Sequence, residues 1–203
     1  LHTQRRRQRQ MCLRDSFNGG SQLALGSAAD AAAMANVYVN TNMAACGGLV
    51  AAMILASLLY GKVDLTLALN GALAGLVSIT AGPDVATPLQ AILIGAIGGI
   101  LCTLAIPLLD KLKIDDVVGA ISVHLVAGIW GTLVVGIPGL NGSGDFMTQL
   151  IGVVVIGVFV TVVSAIVWLV LKAVTGLRPS EEEEMTGLDV SELGMEAYPE
   201  FRN

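Results

Sequence analysis

The sequence predicts an all-α polytopic membrane protein, on three observations. Its 203 residues are 54% hydrophobic and only 13% charged, whereas a soluble domain carries about a quarter charged residues. The apolar residues gather into five long runs, separated by short segments of turn residues and charge. Glycine is abundant at 24 residues and aromatics are few at 4%, which suits small-residue contacts between helices in a bilayer. Membrane strands are not expected, because the runs are too long and lack alternation.

Taken in order, residues 1–14 form a basic segment with Arg5, Arg6, Arg7, Arg9 and Arg14. Arginine at membrane depth costs about 2.5–3.5 kcal/mol per residue, so this segment is read as foreign to the fold: a translated frame error or the end of a gene fragment. The alternative is a basic extension lying on an anionic membrane surface. No apolar stretch follows it as a signal peptide requires, and nothing around it suggests nucleic-acid binding. A membrane-spanning helix needs about 20 apolar residues. The spans fall at about 31–60, 65–80 (short), 89–109, 117–138 and 146–174, divided by "GKVD", "AGPDVATP", "DKLKIDD" and "PGLNGSGD". Lys62, Lys111, Lys113, Lys172 and Arg178 fall in alternate connections, while 81–88 and 139–145 carry no Lys or Arg. By the positive-inside rule, 61–64, 110–116 and the tail are cytoplasmic. Residues 15–175 thus make the membrane region, and 176–203, with Glu181 to Glu184, a solvated acidic tail.

Within the spans, Gly71 and Gly75 are one pair at helical spacing, Gly95 and Gly99 another. Such pairs let backbones approach closely and predict a tightly packed bundle. Cys12, Cys46 and Cys102 match no metal or redox spacing; the latter two read as small hydrophobes. Asp115 and Asp116, and Asp145, stand where N-caps of the last two spans belong.

His124 stands inside the fourth span. On an α-helix it shares a face with Ala120, Gly128, Gly131 and Val135. An ionisable group in a span is costly and points to a substrate or proton path; the plain alternative is an imidazole hydrogen-bonded to a neighbouring helix. A lone histidine is a poor metal site.

"IDDVVGAISVHLVAGIWGTLVVGI" resembles the histidine-bearing tenth span of the ammonium transporter (Amt/Mep/Rh) family. "SFNGGSQLA" is similar to that family's sixth-span "FNxGS" segment, "VYVNTNMAA" at 37–45 to its "AFVNT", and "NGALAGLVSITAG" at 70–82 to its eighth span. "GLRPSEEEEMTGLDVSELGMEAY" resembles its cytoplasmic tail. The resemblance runs unbroken from Phe17 to Tyr198. It implies the second half of an inverted-repeat helical bundle plus the final span, a homotrimer in the plasma membrane, and passage of ammonium without enzymatic chemistry or a cofactor. By residue, it implies that Phe17 is an aromatic gate, Ser21 part of the external ammonium site and His124 a pore histidine. A bare ammonium ion is costly to desolvate. Aromatic faces offset part of that cost, and imidazole can carry its proton near neutral pH. The tail implies a PII-type regulatory partner.

Where the family has a first repeat, with the other pore histidine and the partner phenylalanine, this chain has none. It is therefore expected not to conduct alone. Gly119 replaces an aspartate of many relatives, and Leu125 a glycine. The alternative function is a non-conducting ammonium sensor acting through the tail. An intramembrane hydrolase is disfavoured: Ser122 faces another side of the helix from His124, and Ser78 and Ser164 lie in other spans. A purely structural oligomer remains a description of the fragment.

Overall fold

The computed structural model describes residues 17–140, 142 and 144–197. The basic segment 1–14, Cys12 and Tyr198 lie outside them. Among the described residues there are helices and turns and no strand. The chain divides into two compact units between Val154 and Val155.

The first unit opens on one helical turn at 17–20. Helix α1 is Ala28–Tyr60. It starts where Ser27 and Asp30 cap each other reciprocally, Ser27 Oγ accepting from Asp30 N and Asp30 Oδ2 accepting from Ser27 N. It stops at Gly61, whose φ of 72° is left-handed and whose N–H returns to the Ser57 carbonyl. Helix α2, Leu65–Ile79, is capped by Asp64, which accepts from Leu67 N at 2.9 Å. Helix α3, Pro88–Lys111, begins with a Thr87–Gln90 capping box and a proline where no N–H is needed.

These three helices pack through the glycine pairs. A Cβ on Gly75 of α2 or on Gly95 of α3 would overlap the Ala44 carbonyl oxygen of α1. One turn along, Cβ atoms on Gly71 and Gly99 would crowd the carbonyl oxygen of Gly48. Four residues separate the members of each pair, so each stacks on one face, and α1 is gripped at two levels from two sides. The close packing expected from the spacing is present.

The fourth span departs from a plain α-helix. It runs as a π-helix over Ala120–Val126 and continues as α4, Ala127–Val134. Val123 N and His124 N both bond the Gly119 carbonyl, at 3.0 and 3.4 Å, and Gly119 itself has φ 75°. The wider π turn changes the register that a 3.6-residue period assumes. Gly131, placed by that period on the histidine face, presses on the Ser78 backbone of α2. Trp130 donates its indole N–H to the Ile94 carbonyl of α3 at 3.0 Å. Cys102 is buried with Ala74, Val123 and Ala127, while Cys46 is exposed.

Helix α5, Phe146–Val174, starts in the first unit and runs on into the second; none of its residues is buried. The second unit then carries α6, Glu181–Thr186, and α7, Leu188–Ser191. Helices α1, α3 and α5 are long and apolar enough to cross a membrane, while Leu65–Ile79 and Ala120–Val134 are shorter apolar helices.

Candidate functional site: two pockets and a π-helical histidine

Two pockets lie at opposite ends of α2. One, called outer after the side on which the positive-inside rule expects its loop, is about 240 Å³ and adjoins the lysine-free loop at 81–88. Its walls come from the 17–22 segment (Asn18, Ser21, Gln22) and from the end of α2 and its following loop (Thr80, Pro83, Asp84). Ser21 ends the first helical turn, its N–H bonding the Phe17 carbonyl at 3.1 Å. Its hydroxyl donates to that same carbonyl at 3.0 Å. Thr80 behaves alike, donating to the Leu76 carbonyl at 2.7 Å. Both hydroxyl protons are thus spent on the chain's own backbone, and the oxygens have lone pairs left for the pocket. With Asp84 also among the lining residues, this pocket suits a small ligand rich in donors.

The inner pocket, about 500 Å³, adjoins the basic loops and is lined by Tyr60, Lys62, Asp64, Asp110, Asp116 and Ser122, among others. Asp116 closes the start of the π-helix. Its carboxylate accepts from Ile121 N at 3.1 Å, from Ser122 N at 2.9 Å and from Ser122 Oγ at 2.8 Å. Partial burial pushes this carboxyl up, but the hydrogen bonds from Ser122 and Ile121 outweigh it and hold it below the ordinary carboxylate value. The N-cap position itself is held by Gly119, not by Asp116, which instead reaches the first-turn N–H groups of Ile121 and Ser122 from three residues further back. Asp145 caps α5, accepting from Thr148 N at 2.8 Å.

His124 sits on the π-helical stretch, with an exposed side chain. Phe17 is 63% exposed. Phe17 and Ser21 share one helical turn, and Ser21 lines the outer pocket. His124 lines neither of the two pockets.

The model of the Ammonium Transporter Family matches residues 15–198. This chain belongs to that family. Ammonium transporter Amt2 of Archaeoglobus fulgidus is 38% identical over 91% of this chain and 42% of its own length. Ammonium transporter Amt1 of Haloferax mediterranei is 39% identical over 84% of this chain and 34% of its own. Among solved structures, a "Sensor Amt Protein" superposes with a TM-score of 0.79 at 38% identity, covering 88% of this chain and 45% of that one. Saccharomyces cerevisiae Mep2 does so with 0.72 at 27%, covering 83% and 41%. The chain spans less than half the length of these relatives. The family is one of transporters rather than enzymes, and with its apolar helices this ammonium transporter family chain is a multi-pass membrane protein.

Sequence reasoning missed the amides behind the outer pocket. Asn18 donates to Thr41 Oγ1 at 3.1 Å, and both are buried. Asn36 donates to the Asp84 carbonyl at 3.0 Å, and Asn40 to the carbonyls of Pro83, at 2.8 Å, and Ala86. The available signal was two asparagines four apart in an apolar run, on one face of α1.

Proposed function

We propose that the protein to which this chain belongs moves ammonium or ammonia across the plasma membrane. Ammonium is recruited at the outer pocket, gives up its proton, and passes as ammonia along a pore that His124 lines. Family membership supports this reading. The observation that carries it is the polarity of the outer pocket: Ser21 and Thr80, both in its lining, spend their hydroxyl protons on backbone carbonyls, so their oxygens can only accept. Ammonium is all donor and no acceptor, so it complements that lining. In this reading Phe17 gates the passage below Ser21 and supplies an aromatic face to the cation. His124 takes or relays the proton, since neutral ammonia crosses an apolar conduit far more cheaply than the ion.

The assembly in this reading is a homotrimer with its tail in the cytoplasm, where the acidic helix after Ser180 meets a PII-type regulator. In this reading the membrane region runs to about residue 175 and the tail follows it. The chain spans less than half the length of the relatives it matches, and by itself it is expected not to conduct.

The test is methylammonium uptake in a transporter-deficient cell. Three versions are compared: this chain, the chain with residues 1–14 replaced by a relative's first repeat and sixth span, and that completed version with His124→Ala. Uptake by the completed version only, altered by His124→Ala, is the expected result. Uptake by the chain alone would overturn the account of its inactivity. No uptake by any version would overturn the transport reading and favour a sensor.

A further inference from the structure

The loop that walls the outer pocket does not hold itself. After the Gly82 N–H returns to Ile79, the chain passes through Pro83, which has no N–H to give. The carbonyls of Pro83, Asp84 and Ala86 then need donors from elsewhere. Two side chains of α1 supply them all. Asn40, fully buried, donates to Pro83 O and Ala86 O, and Asn36, one turn earlier, to Asp84 O. Next along α1, Thr41 accepts from Asn18 and so ties down the segment that carries Ser21. One turn and a half of α1 therefore fixes both walls of the pocket. The Asn40 Oδ1 is buried and bonds no group among the described residues. A buried amide left half satisfied is costly, and packing alone would be served by an apolar residue. The position is thus explained by the amide's N–H groups, each of which serves a separate loop carbonyl.

We infer that Asn40, assisted by Asn36, is the positioning residue of the outer pocket: it clamps the 81–87 loop so that the lone pairs of Thr80 and Ser21 face one small donor ligand. The clamp rests on the structure alone. Its part in substrate capture rests on the transport reading above.

Two measurements separate these. The first is hydrogen exchange, read by mass spectrometry on the full chain in lipid nanodiscs, comparing Asn40→Ala and Asn36→Ala with the unaltered protein. Loop 81–87 is expected to exchange about tenfold faster in Asn40→Ala and less so in Asn36→Ala, with α3 unchanged. Equal loop exchange in the folded variants would overturn the clamp. If Asn40→Ala does not fold, Asn36→Ala, which at an exposed residue removes the bond to Asp84 O and the long 3.5 Å one from Asn40, decides. The second is methylammonium uptake by the completed version. The expected KM rises about tenfold in Asn40→Ala while the maximal rate per folded copy holds within about twofold. A lost maximal rate at unchanged KM would overturn the positioning role and leave only a structural one. If the completed version without these substitutions takes up nothing, the transport reading and the capture role fall together, and the exchange result still decides the clamp.

Discussion

Helices α3 and α5 are both long and apolar enough to cross a membrane, yet glycine does different things in them. In α3, Gly95 and Gly99 lie four apart and meet the backbone of α1 at Ala44 and Gly48. In α5, Gly152 and Gly157 lie five apart, and a Cβ on either would meet nothing within 4 Å. No residue of α5 is buried, whereas α3 buries Ala91, Ile94, Gly95 and others along one side. Hydropathy therefore marks which segments belong in lipid and says nothing of which are packed against each other. The four-residue spacing of small residues carries that second message, because only it stacks them on one face.

The comparison is broken or sharpened most strongly by filling the glycines. Gly95→Leu would force α3 away from the Ala44 carbonyl and is expected to cost about 3 kcal/mol or more. Gly157→Leu is expected to stay within about 0.5 kcal/mol. Thermal loss of monodisperse protein in detergent, followed by size-exclusion chromatography, reads both. Equal losses would mean that the glycine contacts of α3 do not hold the bundle. The next effect is Trp130→Phe, which keeps the ring but strips the donor from the Ile94 carbonyl. It is expected to cost about 1–2 kcal/mol in the same assay.

The helices, their boundaries within a few residues and the glycine grip were legible in the sequence, because each rests on a period or a run length. The apolar run at about 31–60 lies in the helix Ala28–Tyr60, and that at 146–174 in the helix Phe146–Val174. The π-helical turn before His124 was not legible. A face drawn at 3.6 residues per turn does not allow for the wider turn, and Gly131, drawn on the histidine's face, packs on Ser78. An extra residue in a turn leaves no mark on a run of apolar residues. The cause lies in the flanking hydrogen bonds, where Asp116 holds Ile121 N and Ser122 N while one Gly119 carbonyl serves two N–H groups. The clamp by Asn36 and Asn40 was hidden for another reason. Its partners are loop carbonyls more than forty residues away, and backbone acceptors have no letter in the sequence.

Asp116 and Asp145 put the same contrast on a finer scale, since each accepts from backbone N–H at the start of the helix that follows it. Asp116→Asn keeps the shape and loses the charge that three donors hold. It is expected to lower thermal stability by about 1 kcal/mol. Its carboxyl is held below the ordinary value when folded. Its stabilisation is therefore complete above the unfolded value of about 3.9 and is lost as pH falls through the folded one. The gap between Asp116→Asn and the unaltered protein should be constant near neutrality and close on acidification. A gap that widens in acid would contradict the bracket around the π turn.

Asp145 gives the smallest effect. Its carboxyl is also held low, by the Thr148 N–H and hydroxyl, and the sign of its pH dependence is the same. But it stands in full solvent, where water replaces either bond at little loss. Asp145→Asn should therefore leave thermal stability where it was and show only as faster hydrogen exchange at Thr148, within the first turn of α5. If instead it cost as much as Asp116→Asn, the start of α5 would be as strongly held as the π segment. The contrast in strength between these two carboxylates would then be lost.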